Sequence, residues 1–353
     1  LITIIFMFFV FVILIPFPQI RSLSVNKSLN FKKIVIFCFY GVTFLMYSRI
    51  RTALHESHIS CLLFHDNFIY FLCTEQTMKS LSAVVGRIKE LKIQGAEEVA
   101  ITAVNAWKGA KDKKLAAEVL EQARPTEPML RNAMKYLRIY GNPDRFLDMV
   151  EKGRQRISLY GSRLIKNDSI VYTHCHSSTV ESILKRSKDS GRDFEVHVTE
   201  TRPLFQGRIT AAHLSKYHIK VKMFVDSAAM YAMKDADVML IGSDAITSDG
   251  EVVNKIGSRL FAKIASEMGI PVYAAADSLK FDPMTKYGFT ERIERRSERE
   301  VWPNKPRGVE IVNPAFEVVP SEYVEGVITE FGILKPDALV TELERNYAWM
   351  FEK

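Results

Sequence analysis

Between residues 170 and 276 the chain alternates short apolar runs with segments of helical periodicity, and this alternation constrains the fold more than any other feature. The apolar runs are almost continuous, as is typical of strands that helices cover on both faces. Strands and helices in alternation predict a doubly wound parallel sheet. We predict strands at Ile170–Thr173, Phe194–Thr199, Val221–Asp226, Val238–Ile241 and Val272–Ala276, and helices at Thr179–Lys188, Ala211–Lys216, Ala228–Met233 and Asn254–Met268.

The part of the chain before this alternation has a purely helical pattern. From Ser80 to about Ser158 apolar residues recur at helical spacing, and Arg124-Pro125-Thr126-Glu127-Pro128 interrupts the pattern. The predicted fold class is therefore α/β, with a helical N-terminal domain followed by a Rossmann-like doubly wound parallel sheet. We expect the helical domain at 78–160, the Rossmann-like catalytic domain at 161–340 and a C-terminal helical tail at 341–353.

Composition breaks sharply near Met78. Residues 1–77 contain two apolar stretches, Leu1–Pro18 and Ile34–Tyr47, together with three of the four cysteines, which are Cys38, Cys61 and Cys73. We expect this segment to be an apolar extension outside the functional protein, which would begin at Met78. The alternative is a membrane anchor, since the first stretch approaches the length that spans a bilayer. Without residues 1–77 one cysteine remains, so a disulfide framework is excluded and a reducing cytoplasm is expected.

The charge of the chain gives little support for binding to nucleic acid. Of the net +7, residues 1–77 account for +3 (six Lys/Arg and three Asp/Glu), which leaves +4 for all later residues. The Arg292–Arg299 stretch alternates with glutamates, a pattern typical of a solvated, self-paired surface. We therefore expect no nucleic-acid partner.

The side chains best suited to chemistry fall where predicted strands end. These are His174–Ser178, Glu200–Arg202, Asp226, Gly242–Asp244 and Asp277. Ligands of doubly wound sheets bind beyond the carboxyl ends of the strands, so these residues predict one shared pocket. No G-x-G-x-x-G follows the first strand and no Walker loop occurs, so the sequence does not indicate a nucleotide cofactor.

Cys175, between His174 and His176, is the first candidate for catalysis. Imidazolium charge and a following helix N-terminus would both favour the thiolate, although a lone cysteine is more often an ordinary buried thiol. Metal binding is not expected, because alternate side chains of an extended run point opposite ways. Asp244 is the second candidate. A base and an acid in one pocket suit the movement of a carbonyl between C1 and C2 of a sugar phosphate.

Several residues are candidates for phosphate binding, each with a structural alternative. Ser177-Ser178-Thr179 opens a predicted helix, where hydroxyls and free N–H groups can cap the helix or bind an anion. Asn254-Lys255 is expected to open another helix, where a lysine is unfavourable unless an anionic ligand compensates. Lys280 is either a phosphate ligand or a solvent-facing lysine.

A set of motifs in fixed order resembles a known family. Residues 172–177 read Tyr-Thr-His-Cys-His-Ser, and Thr-Glu-Thr-Arg-Pro, Gln-Gly-Arg-Ile-Thr-Ala, Gly-Ser-Asp-Ala-Ile and Val-Asn-Lys-Ile-Gly follow. From about Ser80 to Leu339 the chain resembles the archaeal ribose-1,5-bisphosphate isomerases. Their superfamily includes methylthioribose-1-phosphate isomerase and the alpha, beta and delta subunits of translation initiation factor 2B.

The resemblance implies conversion of ribose 1,5-bisphosphate to ribulose 1,5-bisphosphate, with Cys175 as proton acceptor and Asp244 as proton donor. It implies no metal or organic cofactor, a sugar bisphosphate as the small-molecule partner and a homodimer or homohexamer. It also implies that substrate contacts come from Gln94, Gly95, Ala96, Arg124, Ser177, Ser178, Thr179, Asn254, Lys255 and Lys280.

One motif departs from the family. Where the family reads Arg-Gly-Ala-Gly-Arg, this chain has Gln94-Gly95-Ala96-Glu97-Glu98, so two positive charges are lost and negative charge is added. A carboxylate near a phosphate weakens binding. Methylthioribose-1-phosphate isomerase, whose substrate has one phosphate, and a non-catalytic initiation-factor-2B-like subunit are therefore the alternatives.

Overall fold

The computed structural model describes residues 34–39, 42–48, 59–61, 81–290 and 293–352. The chain divides into two compact units, Leu1–Lys79 and Ser80–Lys353. In the first unit, β1 (Ile34–Phe39), β2 (Val42–Ser48) and β3 (Ile59–Cys61) form an antiparallel sheet in that order. The second predicted apolar stretch is thus mostly β-strand, and the first, Leu1–Pro18, lies outside the described residues.

No helix among the described residues combines the length and the apolar character that crossing a bilayer requires. The assignment of residues 1–77 to an extension outside the functional protein stays a prediction, as do the domain boundaries at 160 and 340.

The second unit opens with five helices, which confirms the helical pattern. Local capping explains where several of them begin and end. Asp112 and Asn142 accept backbone N–H groups at two helix starts, and Gly141, with φ of 61°, ends the helix before Asn142. The helices are α1 (81–89), α2 (Ala96–Gly109), α3 (Lys113–Glu121), α4 (Pro128–Tyr140) and α5 (Pro143–Ser162).

A seven-stranded sheet follows, and the predicted doubly wound architecture is confirmed. Its order is β13-β12-β10-β7-β4-β5-β6, parallel except for the β12–β13 pair. Its strands are β4 (Ile170–His174), β5 (Glu195–Thr199), β6 (Lys220–Phe224), β7 (Val238–Ile241), β10 (Val272–Ala275), β12 (Gly326–Thr329) and β13 (Gly332–Leu334).

Helices connect these strands and cover the sheet. Two clusters of buried side chains form the core, one of them continuous with the five N-terminal helices. The edge strand β6 is largely exposed, whereas β7 in the centre is buried throughout. The helices are α6 (Ser178–Asp189), α7 (Gln206–Lys216), α8 (Ala229–Met233), α9 (Ser258–Glu267) and, near the C-terminus, α10 (Leu339–Asn346).

The prediction of one helix from Asn254 to Met268 was wrong at its start. Asn254 and Lys255 end strand β9 (Val252–Lys255), which pairs antiparallel with β8 (Ala245–Ile246) and β11 (Phe316–Val319) in a small sheet. Helix α9 begins only at Ser258, after Gly257 turns the chain with φ of 101°. The partner strand β11 lies about sixty residues further along the chain, so local periodicity could not indicate this pairing.

The strand order reverses between β4 and β7. From β4 the chain proceeds outward through β5 to β6, and then returns to the other side of β4 to form β7 and β10. The loops after β4 and β7 therefore diverge at neighbouring strand ends, which is where doubly wound sheets open a crevice for a ligand. These two loops carry Cys175 and Asp244.

Candidate active site

A cavity of about 690 Å³ lies at this reversal of strand order and collects most of the predicted site residues. Its walls come from the ends of β4 and β7, the start of α6, the small sheet and the N-terminal helices. The predicted residues that line it are Gln94, Gly95, Ala96, Arg124, Cys175, Ser177, Ser178, Asp244, Asn254, Lys255 and Lys280. Thr179 is the exception, because its side chain is buried and is not part of the cavity wall.

Cys175 is held at the end of β4 in an unusual backbone conformation. Its φ of 70° lies in the left-handed region, which L-residues adopt only when the surroundings enforce it. Its N–H donates to Oγ1 of Thr201 at 3.0 Å, and its carbonyl oxygen accepts a hydrogen bond from Oγ1 of Thr210 at 2.8 Å. Both backbone groups are therefore fixed, and the residue keeps a partly exposed face toward the cavity.

The expectation that flanking imidazolium charge favours a Cys175 thiolate is wrong for the free protein. Burial raises the pKa of the thiol to about 12, although the Lys255 ammonium opposes the increase. Burial also lowers the pKa of His174 to about 4, and it lowers the pKa of His176. Both rings are therefore neutral near pH 7, since burial disfavours the charged form of each group.

His174 has a structural role. Its ring is 2% exposed, with Nδ1 2.8 Å from Oγ1 of Thr199 and Nε2 2.9 Å from the carbonyl oxygen of Ile256. Because a carbonyl oxygen can only accept, Nε2 carries the proton and Nδ1 accepts from the threonine hydroxyl. The ring thus joins the end of β4 to the small sheet.

Asp244 follows β7, is half-buried, and has its carboxyl group near several cations. Its backbone N–H donates to the carbonyl oxygen of Val253 at 2.8 Å. Burial raises the pKa of the carboxyl group, against the opposing effects of Lys280, Lys255 and, to a smaller extent, Arg124. A carboxyl group with a raised pKa is better suited to donate a proton than a solvated one.

Lys280 is buried rather than solvent-facing. It is 6% exposed, and its ammonium donates to the carbonyl oxygen of Ser243 at 2.7 Å. This bond holds the lysine at the strand end that carries Asp244. The structural alternative of a solvated lysine is excluded.

The start of α6 presents polar groups to the cavity. Oγ of Ser177 accepts the N–H of Val180 at 3.3 Å as the N-cap, and Ser177 and Ser178 both line the cavity. The remaining free N–H groups of the first turn and the helix dipole favour an anion here. Thr179 turns inward toward the core because successive helical residues point in different directions.

Asn254 and Lys255 reach the cavity from strand β9. Nδ2 of Asn254 donates to Oγ of Ser258 at 2.8 Å, and the Lys255 ammonium lies 4.9 Å from the centre of the Phe316 ring. Lys255 does not oppose a helix dipole, contrary to the prediction from the sequence, since the residue ends strand β9. Its charge acts instead on the Cys175 thiol and the Asp244 carboxyl.

The loop at Gln94–Glu98, whose sequence departs from the family motif, forms the N-terminus of α2. Gly95, with φ of 84°, is the N-cap residue. Glu97 enters the cavity wall, but Arg154 of α5 pairs with it, with Nε 3.0 Å from Oε1. The negative charge that the sequence adds therefore comes with a local cation, which the sequence motifs did not indicate.

Arg296 is a second cavity residue that the sequence did not reveal. It belongs to the Arg292–Arg299 stretch, whose charge pattern predicts solvated surface, yet its side chain is 9% exposed and lines the cavity. The charge alternation was a correct signal for Arg299, which is exposed, and Arg295 is likewise accessible to solvent. Nothing in the local pattern distinguishes Arg296 from them.

In the described part of the chain, one group of side chains brings possible metal ligands together. These are His176, Glu181 and His213, whose ligand atoms lie within 4.8 Å of one another. Lys185 already forms an ion pair with Glu181 at 2.5 Å, so a cation would have to share that carboxylate. His174 and Cys175 are not among these residues.

The sequence of this chain is similar to a known protein family and to several of its members. The sequence matches the model of the initiation factor 2 subunit family over residues 79–336. It is 37% identical over 286 residues to ribose 1,5-bisphosphate isomerase from Pyrococcus furiosus, covering 74% of this chain and 87% of that one. It is 30% identical to methylthioribose-1-phosphate isomerase from Acetivibrio thermocellus, covering 73% and 89%.

A solved structure agrees with the sequence comparison. Translation initiation factor eIF-2B from Pyrococcus horikoshii OT3 superimposes with a TM-score of 0.65 at 28% identity, covering 72% of this chain and 97% of that one. The match to the family model spans well over half of the chain and includes both the helical region and the sheet. The chain therefore belongs to the initiation factor 2 subunit family.

Proposed function

We propose that this protein is a sugar-phosphate aldose–ketose isomerase that converts ribose 1,5-bisphosphate to ribulose 1,5-bisphosphate. The observation that carries the proposal is one cavity that holds a cysteine, an aspartate and several cations at the reversal of strand order. The relative from Pyrococcus furiosus that bears the name of this activity is also the more similar of the two isomerases compared.

The reaction requires two proton movements. As the bond between C1 and the ring oxygen breaks, hydrogens leave C2 and its hydroxyl group, and C1 and the former ring oxygen each gain one. C2 becomes the ketone, so no external oxidant or reductant takes part. One group that takes the proton from C2 and returns it to C1, and a second group that protonates the ring oxygen and takes the proton of the C2 hydroxyl, are sufficient.

Cys175 is the proposed acceptor at C2. The thiol is protonated in the free protein, because burial raises its pKa to about 12, and Lys255 is the largest influence in the opposite direction. The thiol must therefore give its proton to solvent or to another base before it can accept the C2 proton, and the Lys255 ammonium is the chief group that stabilises the resulting thiolate. The fixed backbone of Cys175 keeps the sulfur in place during the proton transfer.

Asp244 is the proposed donor. Burial raises the pKa of its carboxyl group, which favours the protonated form that donates. Lys280 and Lys255 limit that rise, which allows the carboxylate to form once its proton has been given away. The same group can then take up the proton of the C2 hydroxyl.

The phosphates are proposed to bind at cationic and helix-terminal parts of the wall. Ser177 and Ser178 present the N-terminus of α6, and Gln94–Ala96 presents that of α2. Charge and hydrogen-bond donors around them come from Arg124, Asn254, Lys255 and Lys280. Hydrogen bonds from charged donors to phosphate are about twice as strong as neutral ones.

Methylthioribose-1-phosphate isomerase is the second candidate, because Glu97 faces the cavity near the α2 N-terminus. An assay of the full chain with ribose 1,5-bisphosphate and methylthioribose 1-phosphate decides between them. We expect kcat/KM to be at least about 10-fold higher for the bisphosphate, the effect of one charge-assisted contact. A preference for the monophosphate would refute the assignment, and no turnover of either would favour a non-catalytic initiation-factor-2B-like subunit.

A homodimer or homohexamer is proposed from the family resemblance, and sedimentation of the full chain at several concentrations tests it. A cytoplasmic location likewise stays a prediction.

A further inference from the structure

Arg296 occupies an unusual position for a residue in an irregular segment. Its side chain is 9% exposed and lines the cavity, whereas the neighbouring Arg295 is more accessible and is not part of the cavity wall. The backbone is tied on both sides, because the N–H of Arg296 donates to the carbonyl oxygen of Asn313 at 2.9 Å and that of Ala315 to the carbonyl oxygen of Glu294 at 2.8 Å. The guanidinium is therefore directed inward by fixed main chain.

Glu294 links Arg296 to Arg124. Its Oε1 lies 3.1 Å from Nε of Arg296, and its Oε2 lies 3.3 Å from Nη2 of Arg124. The same Nη2 lies 3.3 Å from Oε1 of Glu127. One carboxylate thus holds two guanidinium groups next to each other in the cavity wall, and both belong to side chains that are more than nine-tenths buried.

These contacts leave hydrogen-bonding capacity unused. Nε of Arg296 and Nε of Arg124 are both buried without a hydrogen-bond partner. The Glu294 oxygen near Nε of Arg296 is within ion-pair distance, but it does not lie in the direction of the N–H bond and so forms no hydrogen bond with it. A buried N–H that makes no hydrogen bond is costly, so a ligand atom that accepts from it removes that cost in addition to forming the new bond.

The charges around the two arginines are also unbalanced. Burial raises the pKa of Glu127 to about 7, so part of its negative charge is absent at neutral pH. Four cations of the cluster, Arg124, Arg296, Lys255 and Lys280, then face two carboxylates, Glu294 and Asp244, and an anion would restore the balance.

We propose that Arg296, held beside Arg124 by Glu294, is a substrate-binding residue whose guanidinium binds a phosphate group of the sugar phosphate. The proposal rests on the function proposed above and adds to it a specificity-determining residue. A guanidinium presents N–H groups in a planar fork that matches two phosphate oxygens, which a lysine cannot do. Glu294 is a positioning residue, because it acts on the substrate only through the two arginines.

The test compares Arg296→Ala and Arg296→Lys with Arg295→Ala, a matched control that removes an arginine one position away and outside the cavity wall. In Arg296→Ala we expect KM for ribose 1,5-bisphosphate to rise about 10- to 100-fold, with kcat changed by less than about 5-fold. Arg296→Lys should lie between Arg296→Ala and the wild type, and Arg295→Ala should equal the wild type. Circular dichroism and Tm establish that each variant is folded.

A second measurement does not depend on turnover. Titration with inorganic phosphate by calorimetry should show binding to the wild type and to Arg295→Ala, and about 10-fold weaker binding to Arg296→Ala. Glu294→Gln should weaken binding in the same direction, and adding it to Arg296→Ala should cause less than the sum of the two losses, because both act through one contact.

The two proposals can fail separately. If the wild type isomerises the bisphosphate while folded Arg296→Ala keeps its KM within about 2-fold and its phosphate affinity, Arg296 does not bind substrate. A fall in kcat at unchanged KM would also overturn the binding role. If the wild type fails to isomerise the bisphosphate but phosphate binding still depends on Arg296, the anion site stands and the proposed function falls.

Discussion

Thr201 accepts a hydrogen bond at its side-chain oxygen from the backbone N–H of Cys175, at 3.0 Å. Both residues have left-handed backbone conformations, with φ of 63° for Thr201 and 70° for Cys175. Asp226 in turn accepts the N–H of Thr201 at 2.8 Å. The loops after β4, β5 and β6 are thus joined through one fully buried threonine, which fixes the conformation of the cysteine.

Replacement of Thr201 by valine should reveal this dependence. Thr201→Val keeps the shape of the side chain but leaves the N–H of Cys175 without its acceptor, which costs about 1–3 kcal/mol in the free energy of unfolding. We also expect kcat to fall at least about 10-fold as the sulfur loses its fixed position. Urea denaturation and steady-state kinetics measure the two effects. Thr201→Ser, which keeps the hydroxyl, should be close to the wild type, and a fully active Thr201→Val would contradict this role.

The pKa of the Cys175 thiol can be measured by its reactivity. Because burial raises that pKa to about 12, iodoacetamide should modify Cys175 slowly at about pH 8, with a rate that still increases beyond about pH 10. Peptide-level mass spectrometry follows this site separately from the other cysteines. The same thiol in urea-unfolded protein is the control and should react with an ordinary pKa near ~8.5. Equal rates of modification in the folded and unfolded states at about pH 8 would show that the thiol is not shielded.

Glu127 should make stability depend on pH. Its pKa in the folded state is raised from 4.5 to about 7, chiefly by burial, so between those pH values the folded protein binds a proton that the unfolded chain releases. The contribution of this proton to stability is therefore fully present below about pH 4.5 and is lost as pH rises through about 7. The unfolding free energy falls by at most about 3 kcal/mol over this range.

Comparison of Glu127→Gln with the wild type isolates this effect. Between about pH 5 and pH 8 the wild type should lose unfolding free energy relative to Glu127→Gln, because glutamine has no proton to lose. Other buried acids with raised pKa values, such as Asp277 and Glu330, are present in both proteins and contribute similarly to each. A pH-independent difference would mean that Glu127 titrates normally.

Gly242 is required by the close approach of β7 to the start of α6. A Cβ atom there would lie 2.7 Å from Oγ and 2.8 Å from Cβ of Ser177, the N-cap of α6. Gly242→Ala should therefore displace Ser177, reduce stability by about 1–3 kcal/mol and raise KM. Gly109→Ala is the control, since no atom lies within 4 Å of the position that its methyl group would take. Unchanged KM in Gly242→Ala would show that the N-terminus of α6 does not contribute to substrate binding.

The sequence was sufficient to predict the doubly wound sheet, because near-continuous apolar runs such as Val238–Ile241 report burial on both faces. It also predicted that Cys175 and Asp244 line one cavity, since both follow strands whose ends share an edge. The predicted start of α9 was wrong because β9 depends on a partner strand, β11, that is distant in sequence.

The charged wall of the cavity was the part that local patterns could not reveal. Arg154 and Arg296 reach it from a helix and from an irregular segment, and each is positioned by a partner elsewhere in the chain, Glu97 and Asn313 respectively. The expected thiolate at Cys175 was wrong for a related reason. Burial depends on tertiary packing, and it neutralises the histidines that the sequence places beside the sulfur.

Cys175 and Asp244 are proposed to transfer protons at the same substrate. The most direct test is conversion of ribose 1,5-bisphosphate by the wild type, Cys175→Ser and Asp244→Asn in D₂O, followed by NMR. We expect the wild type to form ribulose 1,5-bisphosphate and each folded variant to be slower by about 10²- to 10⁴-fold. Turnover at the wild-type rate by either variant would show that the replaced group transfers no proton.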